Sequence, residues 1–451
     1  VLIRNALAIM TGLPGDPARA PGGDIRVDAQ GRIAAIGRLA AAAGERVLDA
    51  TDCVVYPGWI NTHHHLAQSV LRGIPAGINL PLLGWLGAVP YPYRGRFDAE
   101  LLAVAAEVGM VDLVLSGCTT IADHHYVYWP GMGYDPAQLL FDLAGRLGIR
   151  FVLCRGGSTV QRPFELNDPK AVQPESLEAI VADVERLVAT YHDPGPEAMR
   201  RVVMAPATPT WSVRPEELKP LARAARRLGI RLHSHLSETA DYVVFCRERH
   251  DRKPLEFVAD HEWVGDDVWF AHMVHLSDSE IRLAGGTGTG IAHCPGSNCR
   301  LGSGVAPVPE LARAGAPVSI GVDGTASNEG GDSAAEARTC WHVHRAGKGA
   351  GAVTVEDVVH WGTRGGARVL GIDNVGALEV GRAADLAVYE LDELRYAGLH
   401  DPAIGPVIGG ARPRLRWLTV QGRVVVERGA IPGLDVPGLL ARAREAVGRL
   451  L

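Results

Sequence analysis

Apolar and polar positions repeat in one order through most of the chain. A stretch with apolar residues every three to four positions closes on glycine, and a β-rich apolar run follows directly. The segments LLFDLAGRLGIRFVLCRG (139–156) and LARAARRLGIRLHSHLSE (221–238) show the order most clearly and share the pentapeptide RLGIR. Glycine just past a helix supplies the left-handed residue from which the chain turns into the next strand. The order recurs in DLVLSGCTTIADHH, EIRLAGGTGTGIAHCP and ELARAGAPVSIGVD, and WINTHHH, RVVMAPAT and VWFAHMV add further strand-like runs. Eight strands beginning near residues 59, 118, 150, 201, 231, 268, 289 and 317, mostly with helical segments between them, predict an α/β fold, a (β/α)8 TIM barrel over 57–373.

The flanks read differently. VLIRNALAIMTG, DIRVDAQGRIAAIG and RVLDATDCVVYPG before the barrel, and ADLAVYELD and LRWLTVQGRVVVERGAI after it, are short strands separated by turn residues. Neither flank is long enough to bury a sheet alone, so residues 1–56 and 374–451 are expected to build one small β-sandwich together, the second part adding a terminal helix.

Composition narrows the function classes. A chain with 47% apolar and 21% charged residues is ordinary for a soluble globular protein. Its net charge of -6, without a basic run, offers no footprint for nucleic acid or an anionic membrane surface. No apolar run is long enough to span a bilayer, and the opening VLIRNALAIMTG carries a charge within too short an apolar stretch for a secretory signal. The seven cysteines are scattered and form no C-x-x-C pair, which argues against a disulfide framework or a cysteine zinc site and fits a reducing cytoplasm. The expected partner is a small molecule, with homo-oligomerisation left open.

In barrels of this kind, chemistry is built at the C-terminal ends of the strands. There the sequence puts His63 and His65 on the first strand, His235 and Glu238 on the fifth, His272 on the sixth and Asp323 on the eighth. His63 and His65, two apart on an extended segment, project together. Three imidazoles and a carboxylate suit zinc with a position left for water, and a carboxylate three residues from a ligand can take a proton from that water. Each feature also has an ordinary reading, as a solvated patch, a helix cap or a turn aspartate. Their coincidence at one end of four strands favours a site.

PGWINTHHH, HSHLSE, AHMVHLSDSE, AHCPGSNCRLGSG and GVDGTASN, in this order, resemble the signatures of the amidohydrolase superfamily, in its branch of cyclic amidine deaminases. The resemblance covers essentially the whole chain, split β-domain included. It implies metal ligation by His63, His65, His235 and Asp323, proton shuttling by Glu238, and assistance from His272 and Asp323 at the reacting atoms. Binuclear relatives carry a carboxylated lysine at the end of the fourth strand, whereas RVVMAPATPTWS offers none. One divalent metal per chain is therefore implied, zinc by family expectation, although such donors also accept iron or manganese. The other zinc-deaminase pattern, H-x-E with P-C-x-x-C, is absent.

Gln68 resembles the glutamine that contacts the purine in guanine deaminases, and Arg155, ending the third strand in LCRGG, is expected to bind a ring oxo group. Tyr126 and Trp129 after the second strand and Trp211 after the fourth are expected to form aromatic walls for a flat heterocycle. NTHHHLAQSVLRG, DHHYVYWPGM and HDPAIGPV resemble most the deaminases of 8-oxoguanine and isoxanthopterin. The expected reaction is isoxanthopterin to 7-oxylumazine plus ammonia. The alternatives are an 8-oxoguanine or guanine deaminase, a triazine chloro- or aminohydrolase, and a catalytically dead scaffold. His293 is expected to support the metal site, and His64, His124, His125, His233 and His275 to be structural.

Overall fold

The computed structural model describes residues 1–162, 164–166 and 171–450. Eight parallel strands follow one another in chain order: Trp59–Asn61, Cys118–His125, Arg150–Arg155, Arg200–Met204, Leu232–Leu236, Val268–His272, Gly290–His293 and Val318–Ile320. The ring closes between the last strand and the first, where Thr62 N–H donates to the Ile320 carbonyl at 3.2 Å and Asp323 N–H to the His63 carbonyl at 3.0 Å. The strands start where the apolar runs begin because helix and strand are separated by left-handed glycines: Gly148 (φ 72°) and Gly229 (φ 67°) occupy the same place in the two RLGIR copies. Helix starts are pinned by side-chain caps, with Asp98, Asp135 and Ser176 accepting from the first free N–H groups of Ala99–Leu115, Pro136–Leu147 and Leu177–Tyr191.

Both chain ends supply the second layer of the molecule. Cys53–Pro57 pairs antiparallel with Leu386–Glu390 and parallel with Ala8–Met10, in a six-stranded sheet that also holds Arg19–Ala20, Leu415–Val420 and Arg423–Glu427. A four-stranded sheet of Leu2–Arg4, Asp24–Val27, Ile33–Gly37 and Val47–Asp49 packs on it through Ile3, Ile25, Val55, Leu386 and Val388. The strand Cys53–Pro57 runs through Gly58 straight into the first barrel strand, and a Cβ on Gly58 would lie 2.2 Å from Thr119 Cγ2, so the approach to the site requires glycine there. Below the barrel the buried Arg150 guanidinium pairs with Asp385, joining the third barrel strand to the sheet domain. The terminal helix Val436–Leu450 packs on the barrel helix Ala99–Leu115, with Arg442 on Glu107 at 2.7 Å. Among the described residues, no helix is long and apolar enough to cross a membrane.

Candidate active site

The six strand-end residues meet at one mouth of the barrel. His63 and His65 follow the first strand, His235 and Glu238 lie on and after the fifth, His272 ends the sixth, and Asp323 follows the eighth. The backbone is held in an uncommon conformation at three of these ends: Ser237, His272 and Asp323 have φ of 50°, 75° and 61°. Non-glycine residues at positive φ cost about 1–3 kcal/mol each and persist where surrounding structure over-determines them. Here the strain aims Glu238, His272 and Asp323 at one cavity, which they line with His65 and His235.

Hydrogen bonds fix the tautomers of the three imidazoles. His65 Nδ1 donates to the His124 carbonyl at 2.8 Å, and His235 Nδ1 to the Ala207 carbonyl at 2.6 Å. His233 Nδ1 donates to the Trp269 carbonyl at 3.0 Å, so its Nε2 is an acceptor, and His63 Nδ1 donates to that nitrogen at 2.9 Å. Burial holds His65 down at about 4 and His235 well below its ordinary value, so both rings are neutral. The Nε2 atoms of His65 and His235 are therefore bare lone pairs, and with Nδ1 of His63 donating to His233 it is the Nε2 of that ring that can offer a lone pair.

These lone pairs face one another. His65 Nε2 and His235 Nε2 are 3.1 Å apart, His63 Nε2 is buried without a donor, and Asp323 Oδ1 stands 3.4 Å from His63 Nε2 and 3.3 Å from His65 Nε2. Acceptors crowded this closely in a buried place repel unless a cation lies among them. Three imidazole nitrogens and a carboxylate with their outer nitrogens already anchored are the donor set of a divalent metal such as zinc.

The rest of the cavity supplies proton-handling groups. The Glu238 carboxyl is raised well above its ordinary value by burial and then by the Asp323 charge, with Arg162 opposing. Asn298 Nδ2 donates to His272 Nδ1 at 3.0 Å, which leaves the proton of that neutral ring on Nε2, 3.5 Å from Glu238 Oε2. Gln68 Nε2 donates to the Tyr126 hydroxyl at 3.0 Å, while Gln68 Oε1 is buried without a donor. A Cβ on Gly324 would fall 1.9 Å from that oxygen, so the glycine after Asp323 makes room for the amide.

Of the residues expected to contact substrate, Gln68, Tyr126 and Trp211 line the cavity. Arg155 and Trp129 do not, and both expectations need correcting. Arg155 is turned away from the barrel mouth, its guanidinium spent on Glu175 (2.6 Å) and Asp183 (2.9 Å) and stacked over Tyr128. Trp129 packs against a satellite apolar cluster with Trp85 and Phe97. His293 also departs from expectation, because its Nε2 meets His344 Nε2 at 3.2 Å rather than any of the converging donors. With Cys340 these two histidines form a second buried donor group, but His293 Nδ1 and His344 Nδ1 lack the acceptors that anchor the rings of the main cluster. Conversely, His233 holds the His63 ring, and Asn298 and Arg162 enter the site unforeseen. For His233 the signal was its shared face with His235 in HSH; Arg162 and Asn298 carry none that pattern alone distinguishes.

A parallel barrel with neutral, bare imidazoles and a carboxylate at its C-terminal mouth, capped below by a sheet from both chain ends, defines a metal-dependent hydrolase architecture. The amidohydrolase family model matches residues 54–425, and the chain belongs to that family. It is 52% identical to an isoxanthopterin deaminase from an unknown prokaryotic organism, over 100% of this chain and 97% of that protein. It is 40% identical to the 8-oxoguanine deaminase of Pseudomonas aeruginosa, over 100% of this chain and 98% of that one. Among solved structures, an amidohydrolase from a Sargasso Sea environmental sample superposes with a TM-score of 0.87 at 50% identity, covering 100% of this chain and 98% of that one. A zinc-complexed atrazine chlorohydrolase from Arthrobacter aurescens superposes with a TM-score of 0.90 at 30% identity, covering 99% of each chain. Like these deaminases and hydrolases, the chain is an enzyme that acts hydrolytically on cyclic amidines.

Proposed function

We propose that the protein deaminates an oxo-substituted bicyclic heterocycle, converting isoxanthopterin to 7-oxylumazine with release of ammonia. The observation that carries this reading is the meeting, at one cavity, of the His65 and His235 nitrogens and the Asp323 carboxylate with the Glu238–His272 pair, His63 Nε2 lying behind them 3.4 Å from Asp323 Oδ1. The relative named for that reaction, 52% identical along the whole chain, supports the choice of substrate.

In this reading His63, His65, His235 and Asp323 hold one divalent ion, zinc. When bound, such an ion acts as a Lewis acid that makes water nucleophilic near neutral pH. Glu238, with its high proton affinity, takes a proton from the attacking water and hands it to the ring nitrogen beside the amino-bearing carbon. Asp323 takes the second proton of that water and passes it to the amino group, which leaves as ammonia while the carbon becomes a carbonyl. His272, its Nε2–H turned to the cavity, donates to the oxygen as it attacks. Gln68 presents an amide acceptor and donor side by side to the lactam edge, and Tyr126 and Trp211 flank the ring.

Metal analysis with an ammonia assay tests the reading. The expected result is about one zinc per chain and ammonia released from isoxanthopterin. Two tightly bound ions per chain would overturn the single-ion assignment, and a zinc-loaded protein that releases no ammonia from pterins or purines would overturn the reaction.

A further inference from the structure

Four arginines are buried among the described residues: Arg94, Arg150, Arg155 and Arg162. Three have a carboxylate partner: Glu165 for Arg94, Asp385 for Arg150, and Glu175 with Asp183 for Arg155. Arg162, only 5% exposed, has none among the described residues. Glu165, the nearest carboxylate in sequence, is used by the Arg94 guanidinium and by the Arg162 main-chain N–H at 2.8 Å. Among the described residues the Arg162 guanidinium itself donates one long hydrogen bond, Nη2 to Thr208 Oγ1 at 3.3 Å, and its Nε is buried with no acceptor. It lies 4.8 Å from the centroid of Trp211 and lines the same cavity as Glu238 and Gln68.

A buried cation is costly unless it is paired, and a planar guanidinium is built to meet sp² oxygen through two parallel N–H groups. Among the described residues every other buried arginine has a carboxylate partner and the one that faces the cavity has none, which leaves its guanidinium free to take an acceptor from the ligand. We propose that Arg162 is the specificity-determining contact of the proposed reaction, donating to a ring oxo oxygen, most strongly to the anion of a ring lactam, on the edge of the heterocycle away from the amine. It thus takes the role that strand position had suggested for Arg155. A substrate lacking that oxygen leaves the guanidinium desolvated and unpaired, a penalty that discriminates far more sharply than shape.

The inference rests on the proposed deamination, and two arms keep them separable. In the turnover arm, kcat/KM is measured for isoxanthopterin and for pterin, which lacks the 7-oxo group, on zinc-loaded wild type, Arg162→Gln and Arg162→Lys, each checked for zinc content and thermal midpoint. The ratio of the two substrates should fall by about 100-fold in Arg162→Gln and be partly restored in Arg162→Lys, which keeps the charge and loses the fork. In the binding arm, 7-oxylumazine and lumazine are titrated onto the same proteins, and the preference of wild type for 7-oxylumazine should collapse in Arg162→Gln. An unchanged turnover ratio in a folded, zinc-loaded Arg162→Gln overturns the role of Arg162 while the deamination stands. Absent turnover with Arg162-dependent binding of 7-oxylumazine overturns the deamination while the recognition stands.

Discussion

His233 Nε2 lies 2.9 Å from His63 Nδ1, and since His233 Nδ1 is tied to the Trp269 carbonyl, the contact has one direction: His63 donates. The bare face of His63 is thus set one layer deeper in the barrel, by a neutral histidine on the fifth strand. Replacing His233 with alanine frees the His63 ring to turn and to change tautomer. Zinc affinity, read by competition with a chromophoric chelator, should fall by roughly 10–100-fold, the usual range for loss of an outer partner of a ligating histidine. Unchanged affinity would make His233 a packing residue only.

Glu238 is separable from the ligand set because it touches His272 and not the crowded nitrogens. Glu238→Gln keeps the size and hydrogen-bonding capacity of the side chain and removes its proton affinity. It should retain zinc and product affinity while kcat falls by about 100-fold or more. Turnover within a fewfold of wild type would remove Glu238 from the mechanism.

Asn298 acts through another residue. By donating to His272 Nδ1 it keeps the His272 proton on Nε2, toward the cavity. Asn298→Asp would accept from Nδ1 instead and turn a bare Nε2 toward the substrate. The expected outcome is a kcat lowered by roughly 10–100-fold with zinc content unchanged, in keeping with a wrong-tautomer histidine. Equal losses in zinc content and kcat would point to a general structural role.

The barrel and its ligand positions were legible because they are local. Each strand's start follows from a helix, a glycine and an apolar run in sequence, and a strand's end says which residues reach the mouth; that is how His63, His235, His272 and Asp323 could be picked out together. What a strand end does not say is whether a side chain finds a partner from elsewhere. Arg155 sits at such an end, but Glu175 and Asp183 return from a later loop and helix to claim its charge. Arg162 is in a loop, and that it has no carboxylate partner among the described residues is a property of the packed molecule that no local pattern encodes. The same holds for His233, whose neighbour His63 is 170 residues distant in sequence.

The join between the two layers offers a stability test. Arg150 and Asp385 are both buried, Nη1 meets the carboxylate, and among the described residues the other two Arg150 nitrogens have no acceptor. Asp385→Ala leaves that guanidinium uncompensated and should destabilise the protein by about 3–5 kcal/mol in denaturant unfolding. The double variant Arg150→Met with Asp385→Leu should recover much of the loss, since burying no charge costs less than burying one unpaired. A destabilisation under about 1 kcal/mol in Asp385→Ala would show that water reaches the pair.

The most direct test of the account is the ranking of substrates by one zinc-loaded preparation, with kcat/KM measured through ammonia release for isoxanthopterin, pterin, 8-oxoguanine, guanine and cytosine. The geometry of Gln68, Arg162 and the aromatic walls, with the 52% identical relative, predicts isoxanthopterin first. If 8-oxoguanine exceeds it by tenfold, equivalent to about 1.4 kcal/mol in transition-state binding, the cavity is built for a purine. If none of the five releases ammonia, the deamination itself is contradicted.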